Sequence, residues 1–218
     1  MRAVIFANGN ISDGHSTLAV IHEGDLLIAA DGGARHCRLL GLTPDYVIGD
    51  FDSIDPQQME DLKTKGTQFI IYPRDKDQTD LELALIFATS KGAQEIHLLG
   101  LLGGRIDQTL ANLLLLTREE WHSTRLSISD GPDFAYLLRS GEHLTIQGKP
   151  GDTISLIPLS LSAIGITTHN LRWELNKSTL KFGSTLGISN EMLQPIAYIE
   201  IADGQLLVIH RKVTASMT

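Results

Sequence analysis

The sequence lacks most features that mark the common classes of protein. It has one cysteine, Cys37, which excludes an intramolecular disulfide and favours a reducing, cytoplasmic location. No apolar run approaches the ~18 residues of a membrane span, and the N-terminal residues lack the apolar region of a signal peptide. Basic residues number 18 against 26 acidic ones. The net charge of −8 therefore argues against duplex nucleic acid or an anionic membrane as partner.

The familiar nucleotide, metal and hydrolase motifs are also missing. The chain has no G-x-x-x-x-G-K-[ST] loop and no G-x-G-x-x-G fingerprint, which disfavours a Walker-type kinase or an ordinary dehydrogenase. Its eight histidines show neither H-E-x-x-H nor paired Cys/His spacing, so a zinc site is not expected. No serine lies in a G-x-S-x-G motif, which leaves a hydrolase of that kind unsupported.

What the first ~130 residues do contain is an alternation of strand-like and helix-like segments. Near-continuous apolar strands separated by helices are typical of an α/β domain with a mostly parallel, doubly covered sheet. The predicted strands are Ala3–Ala7, Asp25–Ala30, Tyr46–Ile48, Gln68–Tyr72, Glu95–Leu99 and Leu126–Ser129. Helices are predicted at Ala34–Leu40, at Leu83–Lys91 after a capping box formed by Thr79 and Glu82, and at Ile106–Trp121.

From about Ser140 onward the pattern changes to short alternating runs without helix periodicity. Such runs between Gly, Pro, Asn and Asp predict a smaller all-β domain, a sandwich. The runs are His143–Gln147, Thr153–Ile157, Ile164–Thr168, Leu171–Leu175, Thr179–Phe182, Ile196–Ile201 and Gln205–Arg211. We therefore expect an α/β domain over residues 1–132 and a β-sandwich domain over residues 133–218.

Acidic and glycine-rich clusters follow the predicted strands of the α/β domain. They are Asp31-Gly32-Gly33, Asp50-Phe51-Asp52, Asp75–Asp80 and Gly103–Gln108. Ligands bind beyond the carboxyl ends of the strands in such sheets, so the clusters should converge. If the Tyr46–Ile48 run is a strand that continues, Asp50 and Asp52 occupy positions i and i+2, so their side chains point to one side. Their carboxylate oxygens could then be ligands for Mg²⁺.

Arg105 and Asp107 extend this chemistry. A guanidinium suits bidentate contact with phosphate, and a carboxylate can accept a hydrogen bond from a ribose or an attacking hydroxyl, or help to hold a metal. Simpler readings exist: Asp80 and Asp107 could merely complement helix dipoles, and Asp31 could be a turn residue. The convergence of these loops at one sheet edge favours metal–phosphate binding, because turn chemistry alone does not require an Arg or a D-x-D pair.

Two features of the β domain are ambiguous. Trp173 alternates with Leu171 and Leu175, so strand phase favours a core position for all three. The segment Gly187–Glu191 is a polar turn whose side chains could hydrogen-bond a heterocycle, although a surface loop without a ligand is the default reading.

From Ala3 to Arg211 the chain resembles the thiamine pyrophosphokinase family. The resemblance is carried by motifs that occur in order at sensible spacing. They are ADGGA at 30–34, PDYVIGDFDSI at 44–54, DKDQTDLELAL at 75–85, GGRIDQTLAN at 103–112, GDTISLIPL at 151–159, TTHNLRWEL at 167–175 and SNE at 189–191. Each motif is weak alone, but the ordered set is specific.

The resemblance implies an N-terminal α/β domain, a C-terminal β-sandwich and a homodimer with thiamine bound near the subunit interface. It implies transfer of a pyrophosphoryl group from Mg²⁺–ATP to the hydroxyethyl oxygen of thiamine, giving thiamine diphosphate and AMP. Nucleic acid and membrane are not expected among the partners.

Residue roles carried over by the resemblance fall into three sets. Asp50, Asp52 and Asp80 resemble the Mg²⁺–triphosphate cluster, with Asp31 in the same acidic cleft. Phosphate and substrate contacts are implied for Arg105, Asp107 and Gln108. Trp173 resembles a thiamine-stacking residue supplied by the partner subunit, and Ser189 and Asn190 resemble contacts to the aminopyrimidine. For Trp173 the resemblance favours a ligand platform over the core.

The chain departs from the family pattern at two positions. Gln108 stands where many members have His, which excludes a histidine base there. Asn170 stands where Gly is usual, and Asn tolerates positive φ better than most residues. The alternatives to a thiamine enzyme are a pyrophosphokinase for another hydroxymethyl heterocycle, such as a pterin, and a non-catalytic sensor of thiamine diphosphate or nucleotide.

Overall fold

The computed structural model describes residues 1–51 and 54–213. The chain divides into two compact units, Met1–Gly131 and Pro132–Thr218. The first is an α/β unit and the second is all-β, which confirms the predicted fold class. Among the described residues, no helix is both long and apolar enough to cross a membrane.

The first unit is built on a parallel sheet. Its strands are β1 (Arg2–Phe6), β2 (Leu26–Ala30), β3 (Tyr46–Gly49), β4 (Gln68–Ile71), β5 (Glu95–Leu99) and β6 (Arg125–Asp130). They pair in parallel in the order β6-β5-β1-β2-β3-β4. The chain therefore adds strands on one side of β1 and then returns to the other side at β5. Ligands bind at such a switch point, beyond the carboxyl ends of the strands.

Helices connect these strands. They are α1 (Gly14–Ala19), α2 (Ala34–Leu39), α3 (Pro56–Thr64), α4 (Asp80–Ser90) and α5 (Ile106–Leu115), with short 3₁₀ helices at Asp31–Gly33 and Glu119–Trp121. The predicted N-cap of α4 is confirmed, because Thr79 Oγ1 accepts a hydrogen bond from the Glu82 amide at 3.2 Å. The Glu82 carboxylate pairs with Arg118, so its side chain is engaged away from the cap.

The predicted helix Ile106–Trp121 is too long, since α5 ends at Leu115. Trp121 is 2% exposed and donates its indole N–H to the Leu115 carbonyl at 2.9 Å. Burial of this large side chain turns the chain back after α5. The sequence analysis missed α1 and α3, although their N-caps Asp13 and Asp55 are ordinary helix-start signals.

The second unit is a sandwich of antiparallel strands, as predicted. One sheet has the order β12-β9-β14-β7 and the other β11-β10-β13-β8. The strands are β7 (Asp133–Arg139), β8 (His143–Gln147), β9 (Thr153–Pro158), β10 (Ser162–His169), β11 (Ser178–Lys181), β12 (Asn190–Glu191), β13 (Ile196–Glu200) and β14 (Gln205–Arg211). Side chains from both sheets, including Ile154, Ile199 and Val208, form one buried core.

The predicted strand Leu171–Leu175 is wrong. Only Leu171 makes an isolated bridge, to Met192, and the rest of the segment is irregular among the described residues. Asn170 lies just before it with a φ of 65°, a conformation that asparagine tolerates. This irregular segment carries Trp173, so strand phase does not apply to it.

Candidate active site

Two strand ends and the start of a helix bring aspartates together in the first unit. Ala30 pairs with Ile48, so the residues that follow them, Asp31 and Gly49, are neighbours. A Cβ on Gly49 would lie 2.8 Å from Asp31 Cβ and 3.2 Å from Asp80 Oδ1. The absence of a side chain at this glycine is therefore what lets the two aspartates approach each other.

Asp31, Asp50 and Asp80 form what we call the acidic cluster. Burial raises the pKa of Asp80, and the charges of Asp31 and Asp50 raise it further. Asp31 is 7% exposed. The negative charges of Asp31 and Asp50 thus repel that of Asp80, which is typical of sites that receive a cation.

Lys76 is a residue that the sequence analysis did not assign to the site. Its Nζ lies 2.9 Å from Asp80 Oδ1, and its side chain is 12% exposed. This ammonium opposes the rise in the pKa of Asp80. The sequence signal for Lys76 was its position inside the Asp75–Asp80 cluster, which was already assigned to the site.

The strand that the sequence analysis extends through the D-x-D pair stops short of it. Strand β3 ends at Gly49, so Asp50 lies beyond it. Phe51 has a φ of 60° and packs its ring edge-on against Phe69, with the centroids 5.2 Å apart. Strand alternation therefore does not set the direction of the Asp50 side chain. Asp52, the other predicted metal ligand, lies outside the described residues, and its role stays a prediction.

The chemistry of the acidic cluster fits a hard divalent cation, because carboxylate oxygens are the ligands that Mg²⁺ takes. Among residues 1–51 and 54–213, no three His, Cys, Asp or Glu side chains are close enough to hold a metal on their own. Mg²⁺ is usually bound by one or two carboxylates together with substrate phosphates and waters. The cluster therefore suits a metal that arrives with a phosphate ligand.

Arg105 and Asp107 form an exposed ion pair where the chain enters α5. Arg105 Nε donates to Asp107 Oδ1 at 3.1 Å, and a second guanidinium N–H donates to Oδ2 at 2.5 Å. Their side chains are 69% and 65% exposed. Hydrogen bonding to Asp107 raises the pKa of Arg105 and, in turn, lowers the pKa of Asp107. Gln108, the next residue of the first turn, is also exposed.

The loops at the switch point are fixed to each other through the backbone. The Gly9 amide donates to the Gly100 carbonyl at 2.7 Å, and the Asn10 amide donates to the Leu102 carbonyl at 2.8 Å. A Cβ on Gly103, whose φ is 82°, would lie 2.7 Å from the Asn10 side chain. Gly103, two residues before Arg105, is therefore required by this close approach as well as by its backbone conformation.

The polar positions of the second unit form a separate group. Trp173 is 60% exposed, whereas Leu171 is 1% exposed, so the core position expected for Trp173 from strand phase is wrong. The side chain of Asn190 bonds to both main-chain polar groups of Trp173. Ser189 has a φ of 60°, and its amide donates to Ser155 Oγ at 3.1 Å.

Two family models match the chain. The model of the thiamin pyrophosphokinase catalytic domain matches residues 18–128. The model of the thiamin pyrophosphokinase vitamin B1 binding domain matches residues 143–206. Together they cover most of the α/β unit and most of the sandwich.

Similar proteins carry the same family name. A thiamine pyrophosphokinase from Bacillus subtilis is 32% identical over 187 residues, covering 86% of this chain and 87% of that protein. A thiamine pyrophosphokinase from rice is 31% identical over 156 residues, which cover 67% of this chain and 58% of the longer rice protein.

Solved structures agree with the sequence comparisons. The crystal structure of thiamine pyrophosphokinase from Bacillus subtilis superposes with a TM-score of 0.86 at 27% identity, covering 98% of this chain and 100% of that one. The structure from Candida albicans, at 19% identity and a TM-score of 0.79, supports the fold alone. By sequence, domain models and fold, the chain belongs to the thiamine pyrophosphokinase family.

Proposed function

We propose that this chain transfers the pyrophosphoryl group of Mg²⁺–ATP to the hydroxyethyl oxygen of thiamine, giving thiamine diphosphate and AMP. The observation that carries the proposal is the acidic cluster at the carboxyl ends of β2 and β3, in a chain of this family. In the reaction the thiamine hydroxyl attacks the β-phosphorus in line. The bond from that phosphorus to the oxygen bridging the α- and β-phosphates breaks, AMP leaves with this oxygen, and the hydroxyl proton is released to water.

Asp50 and Asp80 would hold the metal ion, with Asp31 beside them and Asp52 as a further ligand. The ion would neutralise charge on the phosphate oxygens, which is the main electrostatic demand of phosphoryl transfer. Lys76 supports this assignment, since its ammonium already offsets negative charge at Asp80. Placed beside the phosphates, the same ammonium would contribute to their binding.

Arg105 would bind the phosphate oxygens through its planar guanidinium. A carboxylate and a phosphate present similar oxygen pairs to such a fork, so the bidentate contact with Asp107 supports this role. Because the pKa of Asp107 is lowered, its carboxylate is a weak base. We assign Asp107 to orienting the thiamine hydroxyl, with Gln108 as a neighbouring substrate contact.

Thiamine would stack on the indole of Trp173, near Ser189 and Asn190. An exposed aromatic ring suits a ligand that is both flat and cationic. We further propose a homodimer with thiamine bound at the subunit interface. A reducing compartment, the cytoplasm, fits a chain whose single cysteine is a free buried thiol with its pKa raised by burial to about 12.

The proposal is tested by incubating the purified chain with ATP, Mg²⁺ and thiamine and identifying the products by mass spectrometry. We expect thiamine diphosphate and AMP in equal amounts. Thiamine monophosphate with ADP would keep the substrate and overturn the pyrophosphoryl mechanism. Thiamine binding without any product would favour a sensor, and turnover of a hydroxymethyl pterin in place of thiamine would overturn the substrate.

A second arm of the test uses variants. Asp50→Ala should abolish turnover while the chain remains folded, and unchanged Mg²⁺ dependence would remove Asp50 from the metal site. Asp107→Ala should strongly reduce turnover. Near-normal turnover in that variant would exclude Asp107 from orienting the hydroxyl.

A further inference from the structure

The carboxamide of Asn190 is almost fully occupied by the protein itself. Its oxygen accepts hydrogen bonds from the Trp173 amide at 3.1 Å and the Glu191 amide at 2.9 Å. Its nitrogen donates to the Trp173 carbonyl at 2.7 Å. Asn190 is 8% exposed. Since an amide oxygen has two lone pairs and the NH₂ group two donors, at most one N–H remains for any other partner.

The main chain of Trp173 depends on the Asn190 side chain because residues 172–175 do not form part of a β-strand. The residues around it are joined to the facing chain by backbone contacts: the Arg172 amide donates to the Glu191 carbonyl at 2.9 Å, and Leu171 forms a bridge with Met192. At Trp173 the amide and the carbonyl both bond to the Asn190 side chain instead. The two bonds act as a clamp that fixes the main chain from which the indole projects.

The indole has no core packing to hold it. It is 60% exposed, and the Arg172 guanidinium lies 5.7 Å from the ring centroid. Arg172 is itself fixed by an ion pair with Glu191 at 3.1 Å. The Arg172 guanidinium therefore lies near one face of the indole ring. The orientation of the opposite face depends on how firmly the Trp173 main chain is held.

We propose that Asn190 is a positioning residue that acts on thiamine through Trp173, by holding the indole in its stacking orientation, and that it does not recognise the aminopyrimidine itself. This inference rests on the proposed function. A ring that is fixed before the ligand arrives loses less conformational entropy on binding. Breaking the clamp should therefore weaken thiamine binding without changing the chemistry of a bound thiamine.

A double-mutant cycle tests the proposal. Asn190→Asp preserves the shape of the side chain but replaces the NH₂ donor with an oxygen that faces the Trp173 carbonyl. We expect the Kd of thiamine, measured by calorimetry, to rise about tenfold, the loss associated with one good hydrogen bond. The KM of thiamine should rise in parallel, with kcat at saturating thiamine and the KM of ATP nearly unchanged. Asn176→Asp, the same change at an exposed position of this unit, is the matched control.

The cycle is completed in a Trp173→Ala background. If Asn190 acts through the indole, Asn190→Asp should change the thiamine Kd by less than about twofold once the indole is gone, because the coupling between the sites is then lost. A tenfold loss that persists in this background would overturn the proposal and make Asn190 a direct ligand contact.

An independent readout follows the indole itself. The chain has two tryptophans, so Trp121→Phe leaves Trp173 as the sole reporter. In that background Asn190→Asp should lower the fluorescence anisotropy of Trp173. Unchanged anisotropy would overturn the positioning role of Asn190 and leave the proposed function of the chain intact. If the unsubstituted chain does not bind thiamine, the proposed function fails and thiamine is excluded as the ligand of the clamped indole.

Discussion

Asp80 in the first unit is partly buried and Asp152 in the second is almost fully buried, yet their pKa values move in opposite directions. Burial and two neighbouring carboxylates raise the pKa of Asp80. Burial also acts to raise the pKa of Asp152, but hydrogen bonds from the Val213 and Lys149 amides and from His210 outweigh it, and the pKa falls.

The difference separates a carboxylate that we propose as a metal ligand from a structural one. The donors of Asp152 come from the protein and are permanently in place, so its charge stabilises the fold. The acidic cluster has one ammonium, Lys76, close to Asp80, together with the repulsion of its own carboxylates. Such a cluster gains stability when a cation binds. Removing the charge of Asp152 should therefore lower the stability of the second unit, whereas removing the charge of Asp80 should reduce catalysis.

The largest effect is expected from Asp152→Ala. The side chains of Asp152 and His210 are each 2% exposed. The substitution leaves the buried His210 ring and two part-buried backbone amides, of Lys149 and Val213, without their acceptor. We expect the free energy of unfolding to fall by about 3–5 kcal/mol, the usual cost of removing one partner of a buried charged group. Urea unfolding followed by circular dichroism measures this. Asp203→Ala, at an exposed position, is the control, and an equal loss in both variants would contradict the structural role.

The contribution of Asp152 should depend on pH in a defined direction. Its folded pKa is lower than its unfolded pKa of about 3.9, so its stabilising effect is fully present above that value. It is lost as the pH falls through the folded pKa. The difference in stability between the unsubstituted chain and Asp152→Ala should therefore be constant near neutrality and shrink below about pH 4. A difference that grows on acidification would refute the assignment.

Asp80→Asn should reduce turnover without reducing stability, in contrast to Asp152→Ala. It removes a charge from the acidic cluster, so we expect turnover to fall by roughly 100- to 1000-fold, as for loss of one electrostatic group in an active site. The melting temperature should be retained or rise, because neutralising the carboxylate relieves its desolvation and the repulsion from Asp31 and Asp50, which together outweigh the lost attraction to Lys76. Steady-state kinetics and thermal melting measure the two effects. Glu60→Gln, an exposed change in the same unit, should alter neither.

Lys76→Met tests the counter-ion of the acidic cluster. Loss of the ammonium should lower the free energy of unfolding by about 1–2 kcal/mol, within the ordinary range for removal of a partly buried interaction. Mg²⁺ with a non-hydrolysable ATP analogue should restore most of this loss, because the metal supplies the missing positive charge. Lys65→Met is the exposed control. An equal deficit with and without the metal complex would show that Lys76 only packs.

The smallest effect is expected from Arg105→Lys. The positive charge is kept, but the planar fork that contacts both Asp107 oxygens is lost, so kcat should fall about tenfold. The melting temperature should not change, because the pair is exposed. Arg125→Lys, at another exposed Arg–carboxylate pair, is the matched control. Full activity of the Arg105 variant would reduce its role to that of a point charge.

Much of the architecture follows from patterns that are local in sequence. Buried strands such as β1 are apolar, after its first residue Arg2, because helices cover the sheet, and the N-cap at Thr79 marks the start of α4. Errors arose where a distant contact overrides the local pattern. Burial of Trp121 ends the predicted helix early, and bonds from Asn190 hold Trp173 in an irregular segment that was read as a strand.

By itself the sequence determined the two-unit fold, the family and the residue types of the site, because apolar periodicity and ordered motifs are properties of the chain alone. Only the tertiary structure decided which of these residues meet. The register of β2 and β3 places Gly49 beside Asp31, and the loop before α4 folds so that Lys76 meets Asp80 there. The exposure of Trp173 and the occupation of the Asn190 amide were decided in the same way. Charge coupling and hydrogen-bond satisfaction depend on distances between residues far apart in sequence, and folding alone sets those distances.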